Sequence, residues 1–153
     1  AYEIMPSLVC SEMCIRDRSY IIIVGYHQTE RMLKMSAFEV NFYYKADGSC
    51  PVRDFLDTLD DKMLAKLLGT ISLLETNGTQ LREPYSKSLG DGIFELRAKQ
   101  SSNITRILYF FVVGHQIILT NGFVKKTQKT PPEEIALAQK YRADYFYRKE
   151  SSS

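Results

Sequence analysis

Between Leu81 and Lys129 the chain places ionisable side chains where alternation would put them on one side of a sheet. Glu95, Arg97 and Lys99 stand two residues apart, so in a strand they project from one face while Phe94, Leu96 and Ala98 project from the other. Across the same stretch Arg82, Lys87, Arg97, Lys99, Arg106, Lys125, Lys126 and Lys129 outnumber Glu83, Asp91 and Glu95 by eight to three. That is a local net charge of +5 in a chain whose total is +2. Such a concentration, with Tyr and Phe interleaved, is the footprint of polyanion binding, because Lys and Arg pair with phosphates and aromatic rings stack on unpaired bases. Lys125-Lys126 by itself would mark no more than a solvated face.

The elements that must position these residues begin at Phe38. The segment Phe38–Tyr44 alternates apolar and polar residues and then meets Asp47-Gly48, which predicts a strand ending in a turn. Pro51 opens a short helix with Val52, Phe55, Leu56 and Leu59 on one side. A second helix is capped by Asp60, carries an apolar stripe at Met63, Leu64, Leu67, Leu68, Ile71 and Leu74, and stops at Asn77-Gly78. This hairpin is acidic, with seven carboxylates against four cations over residues 37–81, and is expected to face away from a polyanion. After the turn Gly90-Asp91-Gly92 come strands at residues 94–99, 104–113 and 116–125, the last two joined through Gly114-His115 as a type II′ hairpin. Thr130-Pro131-Pro132-Glu133 reads as a capping box opening a final helix to about Arg148, with Leu137, Tyr141 and Tyr145 sharing a face and residues 149–153 frayed. The class is α+β: an N-terminal strand, a helical hairpin, an antiparallel sheet and a C-terminal helix, with helices on one face.

At 153 residues the chain holds one ordinary domain. Cys10, Cys14 and Cys50 are an odd number without a disulfide framework or a completing His/Cys set, so free thiols and no metal are expected. With no apolar run long enough to span a bilayer, the chain reads as a cytoplasmic protein that does not enter a membrane. Residues 1–34 lack sustained periodicity and sum to zero charge. They read as a non-native or disordered appendage to a domain at 35–148, with Met35 as a natural start; the rival reading is an extra edge strand at Tyr20–Tyr26. The segment Pro6–Arg18 (PSLVCSEMCIRDR) also resembles translated sequencing-adapter read-through.

A series of segments, PVRDFLDTL, LREPYSKSL, DGIFELR, ITRILYFF and GFVKKTQKTPPEEI, in this order resembles the RelE/ParE superfamily of bacterial type II toxins, and more closely its phage-derived HigB-like branch. The resemblance spans roughly residues 38–146. It implies a RelE-like fold, a co-expressed helix-turn-helix antitoxin, possession of no cofactor, and cleavage of messenger RNA on the translating ribosome. ParE-like members instead poison DNA gyrase, and an inert antitoxin-binding relic is the third alternative, since fold alone does not fix function.

Cleavage through the RNA 2′-hydroxyl needs a base, an acid for the leaving 5′-oxygen, and cations for the phosphoryl charge. By the resemblance Arg97 and Arg106 match basic active-site positions, and Lys125 and Lys126 close the last strand where the family places catalytic or binding cations, Lys126 being assigned with the two arginines to catalysis. Glu95 is the candidate proton acceptor, with a lysine of depressed pKa as the alternative. Lys87, Lys99 and Lys129 are assigned with Lys125 to the RNA backbone. Tyr109 is a candidate for base stacking, although an aromatic in an apolar strand is also an ordinary core residue. Several relatives use histidine, whereas here His27 lies in the appendage and His115 at a hairpin tip, where a solvated turn residue is expected. For Arg97 and Arg106 the competing reading is a salt bridge to Glu95 or to the last helix.

Overall fold

The computed structural model describes residues 37–153. Expectations for residues 1–34, among them the strand at Tyr20–Tyr26, the start at Met35, and Cys10, Cys14 and His27, fall outside the described residues. The elements are β1 (Glu39–Phe42), α1 (Pro51–Asp57), α2 (Asp61–Asn77), β2 (Ser86–Gly90), β3 (Ile93–Gln100), β4 (Asn103–Val112), β5 (Gln116–Val124) and α3 (Pro132–Ser151), with a 3₁₀ turn at Gly78–Gln80.

The helical hairpin forms as its sequence dictates. Pro51 sits in the first turn of α1, and Val52 and Leu56 are fully buried. Asp60 Oδ1 accepts from the Met63 amide at 2.7 Å, giving α2 its N-cap, and the expected stripe is buried along the helix. At its end Gly78 takes φ +50°, and a Cβ there would collide with the Phe38 ring.

The five strands run in the order β1-β5-β4-β3-β2. The four later strands are antiparallel neighbours, while β1 joins the outer side of β5 in parallel, Val40 opposite Ile117 and Phe42 opposite Leu119. A parallel neighbour needs a crossover, supplied here by everything between β1 and β5. The sequence reading contained neither the parallel pairing nor β2 as a strand.

Both sheet faces are covered, which corrects the expectation of helices on one face. On one side Leu96, Ile107 and Leu119 lie beneath the hairpin, Thr105 Oγ1 meets Met63 Sδ at 3.1 Å, and Gly122 admits the Phe55 ring where no Cβ would fit. On the other, Ile93, Leu108, Phe110 and Ile118 pack with Tyr43, Ala138 and Tyr141. The physical reason is β4 itself: Ile107, Leu108, Tyr109 and Phe110 are consecutive and all buried, so neither face can be left to water.

Three local readings also change. The β4–β5 connection is three residues, Val113 to His115, with positive φ at both Gly114 and His115, so it is not a type II′ turn. Pro131 is the N-cap of α3 without a side-chain bond, because the Thr130 hydroxyl is engaged elsewhere and no capping box forms. Finally, α3 continues past Arg148 to Ser151.

Candidate active site

Arg97 and Arg106 face each other across β3 and β4, and Glu95 lies opposite Leu108 on the same face, one step beyond the apolar cluster under α3. Two like charges directly opposed would repel, so something must hold them. Glu95 does so. Its side chain is 0% exposed; Oε1 accepts from Arg97 Nε at 2.6 Å and from Arg106 Nη1 at 2.7 Å, and Oε2 accepts from Arg106 Nη1 at 2.6 Å. The Thr130 hydroxyl donates to Oε2 and accepts from Arg106 Nη1 at 2.7 Å, tying the start of α3 to the sheet. Burial pushes the Glu95 carboxyl up, but the Thr130 and Arg97 hydrogen bonds and the two guanidinium charges outweigh it and hold the group below its ordinary value. A carboxylate so fully engaged has the geometry of an anchor and little basicity for proton abstraction.

Arg106 is 3% exposed, and its Nε is buried with no hydrogen-bond partner among the described residues. Buried guanidinium donors are ordinarily satisfied. Arg97 is 23% exposed and also approaches Glu83 at 3.9 Å. Lys125 follows β5 with its amide donating to the Ile104 carbonyl at 2.7 Å, and alternation turns its side chain to the face of Arg106. Desolvation, then the Arg106 and Arg97 charges, lower its pKa below that of an ordinary lysine.

These groups line a cleft of about 350 Å³, within the size range of small-ligand sites at about 300–1,000 Å³. The cleft exists because β2 leaves the ladder early: its last pair with β3 is Ser86 with Leu96, and the Arg97 amide donates to the Tyr85 carbonyl at 2.7 Å. Beyond that point β3 has an open edge, flanked by Lys66 and Thr70 of α2, by Pro84 and Tyr85, and by Lys99, Arg106 and Lys125.

Of the residues singled out from sequence, Glu95, Arg97, Arg106, Lys99 and Lys125 thus come together, and exposed Lys87 pairs in register with Glu95. Lys126 does not line this cleft but an adjoining groove that shares Ile104 and Lys125 with it and includes Thr127 and Gln128, and Lys129 is exposed on the loop beyond. Tyr109 must be corrected. It projects from the hairpin face, is 1% exposed, bonds Ser86 Oγ at 2.5 Å and stacks on Phe94, so no base can reach it. His115 is exposed at the hairpin tip, edge-on to Phe38. Sequence reading missed Thr130 as a site residue, and Lys66 and Tyr85 as cleft residues. Only the phrase LREPY hinted at Tyr85, through an aromatic just before a basic strand.

The architecture is that of an α+β RelE-like domain with a cationic cleft at one end of its sheet. The chain belongs to the family described as Phage derived protein Gp49-like (DUF891), a RelE/toxin-like family, matching it over residues 54–143. The match runs from within α1 into α3 and includes every residue of the cleft. No curated protein matches the chain. Among the described residues no helix is long and apolar enough to cross a membrane, and no group of three or more His, Cys, Asp or Glu could hold a metal ion.

Proposed function

We propose that the protein is the toxin of a bacterial type II toxin–antitoxin module, of the HigB-like branch, and that it cleaves messenger RNA on translating ribosomes in the Arg97–Arg106 cleft. The observation that carries this reading is the convergence of Arg97, Lys99, Arg106 and Lys125 on one cleft, with Glu95 and Thr130 aligning the Arg106 guanidinium. Aligned guanidinium groups at a cationic cleft suit phosphate oxygens.

In this reading the 2′-hydroxyl loses its proton as its oxygen bonds to phosphorus, and the bond to the 5′-oxygen breaks as that oxygen gains a proton. Arg106 and Arg97 stabilise the phosphoryl charge. Lys125, whose lowered pKa favours the neutral amine, accepts the 2′-hydroxyl proton, and water supplies the proton taken up by the leaving 5′-oxygen. Glu95 takes the role of holding the arginines. Lys87, Lys99, Lys126 and Lys129 bind flanking phosphates, and a helix-turn-helix antitoxin with an acidic segment inhibits by covering the same cations.

RNA 5′-end mapping after brief induction without antitoxin tests this. The expected result is new ends within translated codons, with single-turnover cleavage slowed about a hundredfold or more in Arg106→Ala. Growth arrest with intact RNA would overturn the reading in favour of gyrase inhibition.

A further inference from the structure

The cleft is longer than a phosphate needs. From the Arg106 end it extends to Tyr85, which is 42% exposed and has no aromatic ring stacked on it among the described residues. Because the Tyr85 carbonyl accepts from the Arg97 amide, its backbone is fixed against the strand that carries the phosphate-directed guanidinium. Pro84 provides apolar surface beside it, and Lys66 and Lys99 supply cations at the rim. An exposed aromatic beside an anion site, with apolar surface around it and cations beyond, is how proteins hold one unpaired base while gripping the backbone on either side.

We infer that Tyr85 forms a nucleobase subsite, on which the base adjoining the phosphate held by Arg97 and Arg106 stacks, with Lys66 and Lys99 on the next phosphates. The inference rests on the proposed function for the ligand, single-stranded RNA, and adds where a base is read. It also moves the stacking role from Tyr109, sealed under the hairpin, to a tyrosine in the cleft.

The test uses the full chain and a short single-stranded RNA that is 2′-methoxylated, so that it cannot be cleaved, and carries 2-aminopurine as a fluorescent base. Stacking quenches that fluorescence. Wild-type protein should bind with quenching; Tyr85→Phe should match it; Tyr85→Leu should lose the quench and bind on the order of tenfold more weakly. The slope of affinity against salt should be the same for all three, because the phosphate contacts are kept. Equal quenching and affinity in Tyr85→Leu, equal binding of duplex RNA, or no binding by wild type would each overturn the subsite. Since the probe cannot react, quenching by a protein that cleaves no RNA would support the subsite and remove the nuclease reading. Thermal melting of each variant confirms folding, with Tyr85→Phe as the variant least able to disturb it.

Discussion

Under α3 one sheet face is filled by Ile93, Leu108 and Phe110 against Ala138 and Tyr141, whereas two residues along the same strands it holds Glu95 and Arg106. A single step of strand alternation separates an apolar core from an ionic one. The first is stabilised by area, and any apolar residue of the right volume would serve there. The second has to overcome the desolvation of three charges and holds only because each oxygen of Glu95 is engaged. It is the less economical way to close a sheet, and it leaves one buried donor, Arg106 Nε, unsatisfied. An unmade hydrogen bond of that kind costs about 1–3 kcal/mol.

Truncation should break the two halves in different ways. Phe110→Ala and Glu95→Ala are each expected to lower unfolding free energy by about 3–5 kcal/mol, the first through a cavity and the second through uncompensated guanidinium charge. The difference lies in rescue. Adding Arg106→Met should restore much of the stability of Glu95→Ala and none of that of Phe110→Ala, as read in denaturant unfolding of the double mutants. If Glu95→Ala costs no more than an exposed substitution, the ionic half is not a folding unit.

A smaller effect sharpens the same contrast through pH. The Glu95 carboxyl titrates below its ordinary value of 4.5 in the folded protein, so its contribution is fully present above the unfolded value and is lost as pH falls through the folded one. Melting temperature should therefore drop more steeply below about pH 4.5 in wild type than in Glu95→Gln. Asp47 and Asp144, also lowered, act alike in both proteins. Parallel acid profiles would contradict the anchor role.

Much of this was legible in the chain, and the failures have a common cause. The Asp60 cap, the α2 stripe and the shared face of Glu95, Arg97 and Lys99 are local relations with fixed periods, and each appears where spacing placed it. Alternation does not say which face a helix will cover. That is why Tyr109 was open to a binding role and β4 to one-sided burial. Thr130 shows the limit most clearly: a hydroxyl before Pro-Pro-Glu satisfies every local rule for an N-cap, yet its partner is Glu95, 35 residues away. β2 escaped notice because Ser86–Gly90 is short and polar at an edge, where pairing and not pattern makes a strand.

The most direct test of the central claim, that this sheet end performs proton transfer on a phosphodiester with Lys125 as the titrating group, is single-turnover cleavage by Lys125→Arg across pH. Arginine keeps the positive charge but cannot release its proton. The account predicts a rate reduced by about 10²–10⁴ with substrate affinity within a few-fold, and loss of the rise in rate expected of wild type as pH climbs toward the lowered Lys125 pKa. A variant with the wild-type rate and the wild-type pH profile would contradict it.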